Sequence, residues 1–241
     1  MILEVCAQSL YSAEIAEAAG AQRIEFCSAL ELGGLTPSAA NLMMARERLN
    51  LSICVLIRPR TGDFIYSDLE FELILKDIKV CADLGMDGIV VGALMPDGRF
   101  NLNQMKRLRD SAGDMEVISH RAFDATPDPF EALETLVSLG FHRILTSGQA
   151  NTALEGMPLL KQLITAAHGH IEIMPGSGVL ANNIKTLADA TGATAFHSSF
   201  KKAIKSPSHI VEKENVYSRN HDYWETDYEQ VKAAMAILKQ F

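Results

Sequence analysis

Four cysteines in 241 residues, with no Cys-x-x-Cys pair among them, leave too little sulfur for a disulfide framework, and a reducing cytosol is the simplest compartment. No apolar run approaches the 18 or more residues needed to span a bilayer. The first strand-like run starts at Ile2, so no secretory leader with a charged and an apolar region is expected. Positive charge is also short: the net charge of −8 argues against nucleic acid or an anionic membrane as the main partner. His-rich tracts and Met-x-x-Met arrays are absent too.

What is there suits a globular fold. With 48% hydrophobic and 22% charged residues, the chain can form a sizeable core without oligomeric or disulfide support, although homo-oligomerisation stays open. Short β-rich runs alternate with helical segments throughout. Strands are expected near Leu3–Ala7, Arg23–Cys27, Ser52–Arg58, Gly88–Leu94, Glu116–Ala122, Arg143–Ser147, Ile171–Met174 and Ala195–Ser198. Helices are expected near Ser12–Ala19, Ser38–Arg48, Asp68–Leu84, Leu102–Ser111, Pro129–Leu139, Thr152–Ala167, Asn182–Ala190 and Asp227–Gln240. Eight such units in a chain close to the roughly 250 residues of an α/β barrel predict a single-domain TIM (β/α)₈ barrel over residues 1–241. A doubly wound open sheet is the competing topology. Residues 201–225 read as a polar loop after the eighth strand, and 226–241 as a C-terminal helix.

Strand residues alternate between the barrel lumen and the helix layer, and the helix layer demands apolar side chains. Leu3 and Val5 must then face outward, which turns Glu4 and Cys6 inward. In the second strand Ile24 and Phe26 face out, leaving Glu25 and Cys27 inside. The same logic turns Arg58, Glu172, Met174 and His197 inward, and favours His120 over Arg121 in the fifth strand. A lumen so rich in Glu, Arg and His reads either as a buried ion-pair network that fixes the fold or as a functional site, and the position near strand C-termini favours the site.

The pieces beyond the strand ends are distinctive as a series. They are Ile57-Arg58-Pro59-Arg60, Gly62-Asp63-Phe64, Gly92-Ala93-Leu94-Met95-Pro96-Asp97-Gly98-Arg99, His120-Arg121-Ala122-Phe123-Asp124, Leu145-Thr146-Ser147-Gly148, Ile173-Met174-Pro175-Gly176-Ser177-Gly178 and Phe196-His197-Ser198-Ser199. Together with the two Glu-x-Cys strands they resemble the CutC family, long described as copper homeostasis proteins. The resemblance implies a cytosolic TIM barrel and Cu(I) binding, with Cys6 and Cys27 in the positions of the proposed ligands. Thiolates are soft donors and adjacent strands lie about 4.8 Å apart, so the chemistry is admissible. Both cysteines serve equally well as small buried apolar groups.

Two other functions compete. In one, the barrel mouth is an enzyme site: Glu4, Glu25, His120, Asp124 and His197 are candidates for moving protons, while Arg58, Arg60, Arg121, Thr146, Ser147, Gly176, Gly178 and Ser198 hold a small phosphate- or carboxylate-bearing substrate. The loops after the seventh and eighth strands commonly hold phosphate in such barrels, and Arg58 or Arg60 would complete the charge balance. In the other, the same pocket is a non-catalytic small-molecule sensor.

Overall fold

The computed structural model describes residues 1–206 and 223–241. The chain alternates β1 (Ile2–Ala7), α1 (Leu10–Ala18), β2 (Arg23–Phe26), α2 (Ala39–Arg48), β3 (Ser52–Leu56), α3 (Asp68–Asp83), β4 (Gly88–Val91) and α4 (Leu102–Ser111). It continues through β5 (Glu116–Ser119), α5 (Pro129–Ser138), β6 (Arg143–Thr146), α6 (Met157–Ala167), β7 (Glu172–Pro175), α7 (Ile184–Thr191) and β8 (Ala195–Ser198), and ends with β9 (Lys201–Ile204), β10 (Tyr223–Thr226) and α8 (Tyr228–Leu238).

Strands β1 to β8 form one parallel sheet in the order β7-β6-β5-β4-β3-β2-β1-β8, and β7 and β8 come together to close the TIM barrel. The chemistry of the helix starts fixes several boundaries. Ser67 accepts from Glu70 N–H while Glu70 accepts from Ser67 N–H, a reciprocal cap on α3. Asp128 accepts from Phe130 and Glu131 N–H, and Pro129 occupies the first turn of α5, where its missing donor costs nothing.

Alternation along each strand separates two apolar phases. Leu3, Val5, Ile24, Phe26, Ile53, Val55, Ile89, Val117, Ile144, Ile173 and Phe196 belong to the large core between sheet and helices. Cys54, Leu56, Val90, Ile118, Leu145, Met174 and Ala195 fill the lumen. Along β5, β6 and β7 these lumenal apolar groups sit between charged residues below (Glu116, Arg143, Glu172) and the mouth above. Arg143 pairs with Glu172 at 2.6 Å and Glu116 at 3.0 Å, while Arg23 reaches Glu172 at 3.7 Å. Buried ion pairs thus cross the lumen toward its N-terminal end, beneath the mouth where such barrels carry their chemistry.

The segment read from sequence as a polar loop has structure at both ends. β9 and β10 pair antiparallel, and the Glu225 carboxylate accepts hydrogen bonds from Ser9 and Ser12 of the α1 region. Thr226 N–H donates to Ser12 Oγ at 2.9 Å and Gln8 Nε2 to the Trp224 carbonyl at 2.7 Å. The side chains that form this latch lie far apart in sequence, which is why local polarity alone read as loop. The middle of that segment, 207–222, lies outside the described residues.

Candidate functional site at the barrel mouth

A cavity of ≈ 220 Å³ opens at the C-terminal end of the barrel, and Cys6, Glu25, Arg58, His120, Arg121 and His197 all reach it. An adjoining recess of ≈ 400 Å³ shares Cys6, Arg121 and His197 and extends to Ser177, Gly178, Ser198 and Lys201. A further recess of ≈ 430 Å³, between the segment after β4 and the start of α5, gathers none of the lumenal charges. Strands β1, β2 and β8 and the segments after β3, β5 and β7 therefore contribute chemistry to one mouth.

Glu4 lies beneath that mouth rather than on it. Its side chain is 0% exposed; Oε2 takes the Arg23 Nε–H at 2.5 Å, and Oε1 lies 2.9 Å from His197 Nδ1. Burial opposes its ionisation, yet the His197 hydrogen bond and the Arg23 charge outweigh that and hold the carboxyl down to about 2. Sequence grouped Glu4 with the cavity because parity gives a residue's side of the sheet but not its height along the lumen. It supports His197 from below instead.

His197 sits between charges. Burial disfavours the imidazolium, but the hydrogen bond with Cys6 and the carboxylates of Glu25 and Glu4 raise its pKa well above the usual range. Glu25 Oε2 lies 3.7 Å from His197 Nδ1 and has no hydrogen-bond partner among the described residues. Burial pushes the Glu25 carboxyl up to about 7; the His197 charge pulls it down only partly, and Glu4 adds to the rise. Donor atoms of Glu4, Glu25 and His197 lie within 4.8 Å of one another, a spacing a cation could use. The charged imidazole already supplies the positive charge there, and a metal would have to displace its proton.

The two lumenal thiols meet above this group. Cys6 Sγ and Cys27 Sγ are 3.7 Å apart, on adjacent parallel strands. The hydrogen bond with Cys27, burial and the nearby Glu25 carboxylate raise the Cys6 thiol well above its ordinary pKa. Cys54 is lumenal and Cys81 lies in the helix layer; both are buried, and neither joins the pair.

Beyond the ends of β3 and β5, Arg58 is 7% exposed and His120 5% exposed. Arg58 Nη1 donates to the carbonyls of Leu32, Gly33 and Gly34, and Nη2 to that of Gly62. His120 Nδ1 accepts from Ala122 N–H at 3.1 Å. Burial and the Arg58 charge lower the His120 pKa to about 3, so this imidazole is neutral. Gly92 makes the ring position possible, since a Cβ there would stand 2.7 Å from His120 Cε1. Phe64 covers both residues: its ring centroid is 4.5 Å from that of His120 and 5.2 Å from Arg58 Cζ.

The remaining candidates are placed unequally. Asp124 spends its carboxylate on the segment after β6, accepting from Thr146 Oγ1 at 2.5 Å, from Ser147 N–H at 3.1 Å and from Arg121 Nε at 2.8 Å. An anion from outside would have to compete with this internal one for Thr146 and Ser147. Gly176 N–H is bonded to the Thr146 carbonyl, whereas Gly178 and Ser198 border the wider recess, where Lys201 and Arg121 supply the positive charge. Arg60 does not complete that site. It is held at the rim by Glu70 at 2.5 Å and Asp63 at 3.0 Å, because its own loop provides nearer carboxylates.

Sequence reasoning passed over Arg23 and Arg143, both buried and both paired in the lumen. The signal was present: outward Ile24 and Ile144 force their neighbours Arg23 and Arg143 inward by the same alternation. Phe64 carried no such signal, because it lies in a loop where periodicity is silent.

Comparison with known proteins agrees with this architecture. The sequence profile of the CutC family matches residues 1–202. A family protein CutC from Porphyromonas gingivalis is 44% identical over 248 residues, covering 99% of this chain and 98% of its own. The crystal structure of CutC from Streptococcus agalactiae, described as a proposed copper homeostasis protein, gives a TM-score of 0.80 at 33% identity over 83% of this chain and 98% of that one. Phosphoribosyl anthranilate isomerase from Thermotoga maritima shares the barrel alone, with a TM-score of 0.60 at 12% identity over 100% of both chains.

Proposed function

The chain belongs to the CutC family, and from that premise we propose that it serves copper homeostasis by holding Cu(I) as cargo at the Cys6–Cys27 pair. The observation that carries this reading is the 3.7 Å separation of the two sulfurs. With metal–sulfur bonds of about 2.3 Å, as for zinc thiolates, sulfurs at that spacing can share one ion without backbone movement. Thiolates suit Cu(I), whereas the arginines around them repel cations, so the pair rather than the wider mouth is the site. A reducing, cytosolic setting is part of the same proposal, because two thiols this close stay available to Cu(I) only where they are kept reduced.

Competition with a chromophoric Cu(I) chelator, under reducing and oxygen-free conditions, tests the reading. Cys6→Ser together with Cys27→Ser should weaken Cu(I) retention by about a hundred-fold or more, the scale of losing both soft donors. Retention equal to wild type in the double variant would remove the thiol pair from consideration.

A further inference from the structure

Two residues that line the cavity carry buried polar hydrogens that nothing among the described residues accepts, at Arg58 Nε and His120 Nε2. The His120 proton can be assigned. Ala122 N–H donates to Nδ1, so Nδ1 is the acceptor nitrogen and the neutral ring carries its hydrogen on Nε2. Arg58 is stranded in a second sense, because it forms no ion pair among the described residues, only hydrogen bonds to carbonyls. The other positive charges lining this cavity are balanced: Arg121 by Asp124 at 2.8 Å and His197 by Glu4 and Glu25. One unpaired positive charge and two unpaired donors therefore remain on this wall.

Glu25 Oε2 supplies the complementary feature, a buried acceptor lacking a hydrogen-bond donor, and it lines the same cavity. Groups left unsatisfied in this way are costly, and each calls for a partner from outside the chain, whether a water, an ion or a ligand. Cavity volume limits the candidate: ≈ 220 Å³ is below the range for drug-sized molecules. Phe64 explains how the donors stay dry without the ligand. Its backbone carbonyl is fixed by Leu94 N–H at 2.8 Å, while its ring rests on His120 and Arg58, so rotation about the side-chain bonds uncovers both.

We propose that Arg58 and His120 are the donor half of a binding site for a short-chain 2-hydroxy carboxylate. The carboxylate displaces the Phe64 ring and accepts from Arg58 Nε–H and His120 Nε2–H, and the hydroxyl donates to Glu25 Oε2. Desolvated donors fixed before the ligand arrives bind an oxyanion more strongly than the same groups in water. Cys6 lines the same cavity, but neither sulfur is among the groups that hold the ligand.

Saturation-transfer NMR on the full chain with glycolate and lactate tests this, with acetate and glycolamide as probes lacking the hydroxyl and the charge. Both hydroxy acids should bind at millimolar concentration or tighter, and acetate and glycolamide about ten-fold more weakly, as for loss of one hydrogen bond involving a charged group. His120→Phe removes the donor with an apolar ring of related shape and should weaken lactate by about ten-fold, while its circular-dichroism melt confirms the fold. Phe64→Ala should bind lactate at least as tightly as wild type. No transfer from either hydroxy acid, acetate binding as well as glycolate, or undiminished binding in a folded His120→Phe would each overturn the proposal.

Discussion

Glu4 Oε2 and Arg23 Nε are 2.5 Å apart in the lumen, directly below the level at which Glu4 Oε1 meets His197. The pair transmits position: Arg23, itself beside Glu172 and 3.4 Å from Met174 Sδ, fixes Glu4, and Glu4 fixes the imidazole at the mouth. Replacing Arg23 by Met leaves the buried Glu4 carboxylate with His197 alone, and truncation of one member of a buried pair costs about 3 to 5 kcal/mol. Urea denaturation at pH 7 should show that loss, with part of it recovered when Glu4→Met is added, because the double variant removes the buried carboxylate but leaves His197 with Glu25 alone. A single-variant cost under about 1 kcal/mol would mean that the pair does not fix the lumen.

Glu25 opposes folding at neutral pH and above. Its carboxyl is raised from 4.5 to about 7, so the folded state keeps a proton that the unfolded chain has already released between those values. The stability tied to that proton is fully present below pH 4.5 and is lost as pH rises through 7, a difference of about 3 kcal/mol. Glu25→Gln should therefore be more stable than wild type at pH 8 by about that amount and nearly equal to it at pH 4.5. Equal stability at pH 8 would show that the buried carboxylate is relieved by some other contact.

A carboxylate that weakens the fold is visible in sequence only as an inward position, and the same holds for the rest of the mouth. The alternation around Leu3, Val5, Ile24 and Phe26 was enough to send Glu4, Cys6, Glu25 and Cys27 into the lumen, since each outward neighbour needs the helix layer. Height was not legible: Glu4 lies level with Arg23 and Glu25 level with Cys6, two positions apart in a register set by the sheet's stagger, which no single strand encodes. Loops were harder still. Arg60 and Arg58 are two residues apart, yet one is held by Asp63 and Glu70 outside and the other by backbone carbonyls inside, and that division depends on how the segment from 59 to 66 folds back.

His120 contributes a slope of the opposite sign to that of Glu25. Its pKa falls from 6.5 to about 3, so the unfolded chain binds a proton in that interval and the folded chain does not. Stability is fully present above pH 6.5 and drains away as pH falls toward 3, reaching about 5 kcal/mol when complete. At pH 5 the part already lost is about 2 kcal/mol. His120→Phe cannot take up that proton, and between pH 7 and 5 its stability relative to wild type should rise by about the same amount. Parallel pH profiles for the two proteins would show that His120 is charged in the folded state, contrary to its environment.

Gly92 is the position where the backbone makes room for that ring. A Cβ would lie 2.7 Å from His120 Cε1, 2.9 Å from Nδ1 and 3.0 Å from the Ala122 side chain, and the first two contacts are to a ring that Phe64 backs at 4.5 Å. The ring cannot simply retreat, since moving it breaks the hydrogen bond from Ala122 N–H. Gly→Ala stabilises by about 0.4 to 1 kcal/mol where the site has room, through the unfolded chain's lost freedom. Here overpacking of about 1 to 3 kcal/mol opposes it, so the net change should be destabilising. Gly92→Ala should therefore melt below wild type and weaken lactate binding together, because the substitution displaces a donor without deleting it. A variant that melts above wild type and binds lactate equally would show that His120 is free to shift, and that its placement by Gly92 is not what shapes the cavity wall.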